Sequence, residues 1–446
     1  MSTDATTTDA TSDPTTDPTT DPTTAPGVLA RCTELDRFTS SPDHLERVHL
    51  SPEHAAANEA VRAWMEQAGL TTWRDAAGNM CGRREGREPG LPALLLGSHV
   101  DTVPDAGSYD GMLGVVMAIA VAQRLGDRVA ELPFALELVA FSDEEGTRFG
   151  TALMGSKALA GLWDDAWWQL ADADGVPLRQ AFLDFGLDPE RARDAARAPG
   201  SLVGYLEAHI EQGPYLEAAD VSLGYVTTIA GARRFRLTVL GEARHAGGTP
   251  YERRRDALVG AGEAITTIER LGRALGVIAT VGQIEVHPGA VNVIAGRADF
   301  SLDLRAPLDE DRDRAWERLH AEVAAACEAR GLRLEVTETH AAPAAPCAGW
   351  LQQAVVDGIR STGDADPMAL WSRAGHDAMA VAAVADIGML FLRCHDGISH
   401  HPGEDVREVD VARGIDAFEA AVLAVATAHD AGGTAAVPPP TPGLGR

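Results

Sequence analysis

Four short stretches of the chain combine carboxylates and histidines in patterns that could do chemistry. The first is Gly97-Ser98-His99-Val100-Asp101-Thr102-Val103, followed by Tyr109-Asp110-Gly111. A histidine at the end of an apolar run, with an aspartate two residues on, suits a metal ligand whose tautomer a neighbouring carboxylate fixes. It suits equally a structural histidine bonded to that aspartate. Asp110 lies near Gly107 and Gly111, which let the chain turn tightly and could place a bridging carboxylate. The second stretch is Ser142-Asp143-Glu144-Glu145-Gly146-Thr147-Arg148-Phe149. Adjacent glutamates can divide labour, one binding metal while the other takes a proton. An acidic helix N-terminus, favoured by the helix dipole, would give the same run. The third, Glu207-Ala208-His209-Ile210-Glu211-Gln212-Gly213-Pro214, and the fourth, Gly397-Ile398-Ser399-His400-His401-Pro402-Gly403-Glu404, each set a histidine beside polar residues and chain breakers. Singly, each is an ordinary surface or core histidine. Jointly, His99, Asp110, Glu145, His209 and His400 form a mixed nitrogen and oxygen set that suits zinc or manganese and not calcium.

The elements that must position these residues alternate. Leu91 to Val100 and Phe134 to Ser142 are apolar runs of buried-strand character, and Met112 to Leu125 has helical character. Such βα alternation implies an α/β fold with a parallel or mixed sheet, and ligands gather at the carboxyl ends of such strands. Both the His99 and the Glu144-Glu145 stretches stand there. From about Gly231 the pattern changes to a strand (Phe235–Leu240), a helix (Glu252–Leu271), strands at Val277–Val286 and Arg297–Leu304, a helix (Asp309–Arg330) and a strand (Leu332–Thr337). That βαββαβ order is the ferredoxin-like unit. The expected organisation is a catalytic domain in two parts, 28–228 and 343–430, interrupted by an inserted lid or dimerisation domain at 229–342.

Composition bounds the function. The 446 residues carry a formal net charge of −28, which opposes binding to nucleic acid, since that affinity comes mainly from Lys and Arg on phosphates. Five scattered cysteines without a CxxC pair form neither a disulfide framework nor a cysteine zinc site, which fits a reducing, cytoplasmic compartment. No apolar run approaches the ~20 residues needed to span a bilayer, and the N-terminus lacks the features of a signal peptide. Residues 1–27 repeat Thr, Asp and Pro, and 431–446 are rich in Pro and Gly. Both read as disordered tails, too poor in apolar surface to offset the entropy of ordering.

The motifs GSHVDTV, YDGMLGV, SDEEGTRFG, EAHIEQGP, HAGGTP with a following RRRDAL, VNVIAG, DLR, AGHDA and GISHHPGE run in one order through about residues 30–430. In this the chain resembles the M20 metallopeptidase clan, and within it the hydantoinase/carbamoylase group of N-carbamoyl-L-amino acid hydrolases, beta-ureidopropionases and allantoate amidohydrolases. The resemblance implies two divalent ions, zinc or manganese, bridged by Asp110. His99 and His209 would complete one site, and Glu145 and His400 the other, His400 being preferred to His401. Glu144 would be the general base and Asp101 the partner that orients His99. The bond from Asp110 to Gly111 is expected to be a cis peptide, as is common in the clan. His245, Asn292 and Arg305 would bind substrate from the inserted domain, often across a homodimer, with Gln212 and Arg233 or Arg234 as weaker candidates. Gly248, Tyr251 and Ala295 depart from the commoner Thr, Met and Pro of the pattern.

Phe391-Leu392-Arg393-Cys394 before GISH looks more like allantoate amidohydrolases than carbamoylases, and Arg393 could meet a second ureido oxygen or support the metal loop. The expected reaction is therefore hydrolysis of allantoate, a small ureido acid, with release of ammonia, carbon dioxide and ureidoglycine or ureidoglycolate. The alternative is an N-carbamoyl-L-amino acid amidohydrolase. An M20 aminoacylase or peptidase is more distant, because a carboxylate commonly stands there in place of His209. A binding protein that kept the fold and lost catalysis is disfavoured, because Glu144 and every expected ligand are present.

Overall fold

The computed structural model describes residues 21–432. The expected tails at 1–20 and 433–446 lie outside the described residues. Residues 21–27 are not tail. Thr24 caps a helix, Ala25–Leu35, with Pro26 in its first turn, and Val28, Cys32 and Leu35 are fully buried. Arg124 donates to the Thr23 carbonyl at 2.8 Å. The helical apolar spacing begins inside a stretch whose composition still reads as disordered, so the boundary at 27 was set too late.

The chain first lays down β1 (Thr71–Arg74), β2 (Met80–Arg84), β3 (Ala93–His99), β4 (Ala135–Phe141), β5 (Leu202–Ile210) and β6 (Leu223–Ile229). It leaves to form β7 (Gly231–Leu240), β8 (Arg244–His245), β9 (Ile278–Thr280), β10 (Ile284–His287), β11 (Val293–Ile294), β12 (Arg297–Ala306) and β13 (Arg333–Ala342). It then returns with β14 (Ala345–Pro346), β15 (Met368–Ser372) and β16 (Ile387–Leu392).

The larger sheet is mixed, in the order β1-β2-β4-β3-β5-β16-β6-β14, with β15 also paired to β6. Its centre, β4-β3-β5-β16, is parallel throughout. Every residue of β3, β4 and β16 is buried, as expected of parallel strands covered on both faces. One face packs against the helices Ala25–Leu35, Pro52–Gln67, Met112–Leu125, Gly349–Ser361 and Glu408–Asp430. The other packs on Leu159, Leu216, Ala378 and Val381. Glu137 interrupts the apolar β4, but Arg83 at 2.7 Å and Arg197 satisfy it. Because the four central strands are parallel, His99, the Ser142–Glu145 run, His209 and the loop leading to His400 all issue from one edge of the sheet.

The second sheet, β10-β12-β7-β13 with β9 also on β12, is antiparallel and carries the helices Ala257–Leu275 and Asp309–Ala329. The first of these starts five residues later than the sequence reading. Asp256 accepts from the amides of Leu258 and Val259 at 3.1 and 3.3 Å, and this cap stops the helix short of Arg253–Arg255. The expected strand Val277–Val286 is split into β9 and β10. Val293 of β11 pairs with His245 of β8 in a small separate ribbon. Among the described residues no helix is long and apolar enough to cross a membrane.

Candidate metal centre

β3 ends on His99, whose Nδ1 lies 3.0 Å from the Asp101 carbonyl, and His209 near the end of β5 sets its Nδ1 2.9 Å from the Ile210 carbonyl. A carbonyl can only accept, so each Nδ1 carries the hydrogen and the Nε2 of each neutral ring is left with a lone pair. Both lone pairs face the same carboxylate oxygen. His209 Nε2 is 3.2 Å and His99 Nε2 3.6 Å from Asp110 Oδ1. His209 Nε2 is also buried without any hydrogen-bond partner. Two lone pairs turned on a carboxylate oxygen repel unless a proton or a metal cation stands between them. The other oxygen of Asp110 faces a second set: His400 Nε2 is 3.1 Å from Oδ2 and 3.5 Å from Glu145 Oε1. The donor atoms of His99, Asp110 and His209 fall within 4.8 Å of one another, as do those of Asp110, Glu145 and His400. Two imidazoles with one oxygen, and one imidazole with two carboxylates, suit transition-metal dications. The residues present fit a pair of ions.

The supports of these groups come from several loops. Gly111 takes φ 73°, and a Cβ there would stand 2.4 Å from the His99 ring, so only glycine lets Asp110 and His99 approach this closely. The expected cis bond at Asp110–Gly111 is not found. The one cis bond among the described residues is His287–Pro288, and the turn after Asp110 is made by the left-handed glycine. Asp101 accepts from the amides of Glu144 at 2.9 Å and Glu145 at 3.1 Å, so one buried carboxylate ties His99 to the glutamate pair. Gln212 and His400 both adopt positive φ, 53° and 56°, a cost that proteins tend to concentrate at functional sites. Gln212 Nε2 donates to Asp110 Oδ2 at 2.7 Å. His400 and His401 are both exposed, but His401 accepts from the Gly403 amide at 2.9 Å while His400 faces Asp110 and Glu145, so His400 is the member of the pair turned to the cluster.

Charge is tightly balanced here. Burial alone would raise the Asp110 pKa, but His209, His400 and His99 hold it well below the carboxylate range. The Asp110 carboxylate lifts His400 to about 9 against the effect of burial. Burial, with Glu145, Asp377 and Asp101 nearby, pushes Glu144 well above the usual range despite His99. Burial and Asp110 raise Glu145 to about 7. Both glutamates thus hold a proton more readily than an ordinary carboxylate.

Other site residues lie apart. His245 and Asn292 sit together on the exposed β8–β11 ribbon, where Ala246 donates to the Asn292 carbonyl at 3.0 Å. Arg305 forks onto Asp303 at 2.8 and 3.1 Å and donates to the Arg373 carbonyl at 2.7 Å. Arg233 pairs with Glu338 and Asp313, and Arg234 with Asp303. Arg393, expected as a substrate contact, is held in ion pairs in this structure. Its Nε and Nη2 meet both oxygens of buried Asp410 at 2.8 and 2.9 Å, and its Nη1 meets Asp220 at 2.9 Å. Three of its five N–H groups anchor the segment after β16.

Four residues inside the quoted motifs had no assigned role. Glu404 accepts from the amides of Tyr109 at 2.8 Å and Asp110 at 3.0 Å, and touches Ser399 Oγ at 2.9 Å, which itself reaches Asp110 Oδ2 at 2.7 Å. Glu207 accepts from Ser98 Oγ at 2.9 Å and from the Ala378 amide at 3.2 Å. The His376 ring packs edge-on against that of His209, with centroids 4.5 Å apart. A carboxylate four residues after His400 was the available signal for Glu404.

The sequence profile of peptidase family M20/M25/M40 matches residues 95–424. The chain is 38% identical over 388 residues to an N-carbamoyl-L-amino acid amidohydrolase of Geobacillus stearothermophilus, covering 86% of this chain and 95% of the relative. It is 38% identical over 416 residues to an allantoate deiminase of Arabidopsis thaliana, covering 86% and 79%. Among solved structures, an amidase of the hydantoinase/carbamoylase family from Burkholderia multivorans superposes with a TM-score of 0.83 at 31% identity, covering 90% of this chain and 98% of that one.

Proposed function

The chain belongs to peptidase family M20/M25/M40, and from that premise we propose that it is a two-metal amidohydrolase cleaving a ureido or carbamoyl C–N bond in a small carboxylate-bearing substrate. The observation that carries this reading is Asp110, whose two oxygens each face a separate set of nitrogen and oxygen donors. His99 and His209 with Oδ1 would hold one cation, and Glu145 and His400 with Oδ2 the other. When bound, such cations acidify a water and polarise the scissile carbonyl. Glu144 takes the proton of the attacking water and returns it to the leaving nitrogen. Asp101 keeps Glu144 and Glu145 in register through their amides. The released carbamic acid breaks down to ammonia and carbon dioxide.

Arg305 would pair the substrate carboxylate through its planar fork, exchanging Asp303 for the ligand. His245 and Asn292 stand exposed, beside a fully exposed Val291, which supports a role completed by lid closure or by a second copy of the chain. Residues 229–342 are the lid or dimerisation domain in this reading.

For the substrate we infer allantoate, on the Phe391-Leu392-Arg393-Cys394 pattern. The commitment of Arg393 to Asp410 and Asp220 removes its direct contact from that argument and favours an N-carbamoyl-L-amino acid as the second reading. The test is ammonia release from allantoate, N-carbamoyl-L-methionine and N-carbamoyl-beta-alanine by one metal-reconstituted preparation, with metal content measured in parallel. Hydrolysis of none of them by enzyme holding two ions per chain would reject the proposed reaction.

A further inference from the structure

Arg373, between β15 and the AGHDA segment, has no task in the chemistry above. Its guanidinium carbon stands 3.8 Å from the centre of the Tyr215 ring and 4.2 Å from that of the Trp371 ring. Its Nη1 donates to the Trp371 carbonyl at 3.3 Å, and among the described residues it forms no ion pair. Carboxylates are not scarce in a chain of net charge −28.

Three contacts fix where this group stands. Tyr215 opens the turn that follows Gln212, whose amide touches Asp110. The Arg373 carbonyl receives Arg305. Two residues on, a Cβ at Gly375 would stand 3.8 Å from Oε1 of Glu144. Arg373 is thus linked through its neighbours to the metal loop, the carboxylate clamp and the general base. Stacking on two aromatic rings fixes the plane of the guanidinium and, beyond its bonds to Tyr215 and the Trp371 carbonyl, leaves N–H groups for a ligand.

Resting on the ureido-acid reading, we propose that Arg373 is a specificity-determining residue whose guanidinium receives a second planar acceptor, a carboxylate or a ureido carbonyl, at the end of the substrate remote from the scissile bond. An apolar side chain in that place would strip water from the guanidinium edge and return no hydrogen bond.

The test measures kcat/KM of the Mn²⁺-loaded wild type, Arg373→Gln and Arg373→Ala on N-carbamoyl-L-aspartate, allantoate and N-carbamoyl-L-methionine. For the preferred polar-armed substrate, kcat/KM relative to the methionine derivative should fall about 10- to 100-fold in both variants, mostly through KM. Calorimetric Kd for that ligand, measured with Glu144→Gln in both backgrounds, should weaken by a similar factor. A fall confined to carbamoyl-aspartate identifies a carboxylate, and one confined to allantoate a ureido carbonyl. An unchanged ratio, or an equal fall on all three substrates, overturns the proposal and leaves the reaction standing. Ammonia release from none of the three by the wild type overturns both.

Discussion

Replacing Glu404 should separate the scaffold of the metal centre from its ligands, because Glu404 faces none of the proposed ions and yet holds two of the loops that carry them. One of its oxygens accepts from the amides of Tyr109 and Asp110, and the other touches Ser399 Oγ. Ser399 has one hydroxyl hydrogen and two acidic neighbours, Glu404 at 2.9 Å and Asp110 at 2.7 Å. Burial, then the nearby Asp110 charge, raises Glu404 to about 6. Below about pH 6, protonated Glu404 can donate to Ser399 while Ser399 donates to Asp110. Glutamine can copy it, since its carbonyl accepts the two amides and its NH₂ donates to Ser399. Alanine cannot. Glu404→Ala orphans two backbone N–H groups beside a buried carboxylate, while Ser399 keeps Asp110 as its acceptor. At about 1–3 kcal/mol for each unsatisfied group, the loss is about 2–6 kcal/mol, shared between folding and metal binding. Even 2 kcal/mol charged to the metal-bound state weakens metal affinity about 30-fold. Metal per chain after dialysis against graded chelator, with Tm and kcat on the same samples, reads this out. Glu404→Ala should lose metal at lower chelator and melt earlier, while Glu404→Gln stays near wild type. Full metal retention and an unshifted Tm in the alanine variant would refute the scaffold role. Equal damage from glutamine would refute the protonated arrangement.

Glu144→Gln should keep both metals and lose turnover by about 10²–10⁴-fold or more, whereas Glu145→Gln should lower metal stoichiometry; near wild-type turnover in fully metallated Glu144→Gln would reject the general base. Mixing Glu144→Gln protomers with Arg305→Ala protomers should restore activity if sites are shared between subunits, and no recovery after proven subunit exchange would confine each clamp to its own chain. Burial holds His49 down at about 4, below its ordinary 6.5, so the unfolded chain takes up the proton first as pH falls and stability drops between about 6.5 and 4. The drop is about 3 kcal/mol for this residue, and His49→Leu should lose less Tm between pH 7 and 4.5 than wild type; parallel pH profiles would contradict it.

How far the sequence speaks depends on the distance over which each role is set. That His99, Glu144, Glu145 and His209 gather at one edge was legible because each lies at or just beyond the end of an apolar strand and parallel strands bring such ends together, while their roles rested on the family resemblance. His400 was preferred to His401 on the family resemblance alone; the physical reason lies in the loop, where a positive φ sets His400 toward Asp110 and His401 bonds to Gly403. Glu404 acts on an amide 295 residues away, which no local pattern encodes. Arg393 was visible as a cation but not as a committed one, because Asp410 lies in a helix that folds back onto it. The helix start at Asp256 and the ordered residues 21–27 were local, and were missed where composition outweighed capping.

The burial that makes the site legible also explains its chemistry. Asp101, Asp110, Asp143, Glu207 and Asp377 are all buried around the edge where the ligand-bearing strands end. Among the described residues Asp377 has only Ser156 nearby as a hydrogen-bond donor, and Asp143 Oδ2 has no partner. Burial, compounded by neighbouring carboxylates, raises both of these acids well above the usual range. Such a cluster is costly in a medium of low polarity, and removing water strengthens attraction to cations as much as repulsion among anions. The imidazoles offset part of that repulsion by taking protons, as the raised values of His99, His209 and His400 indicate. Dications bound at Asp110 would displace those protons and offset more. The charge surplus that repels polyanions across the surface is, at this edge, what draws cations in. Their binding energy would come from the carboxylates the fold buries side by side there.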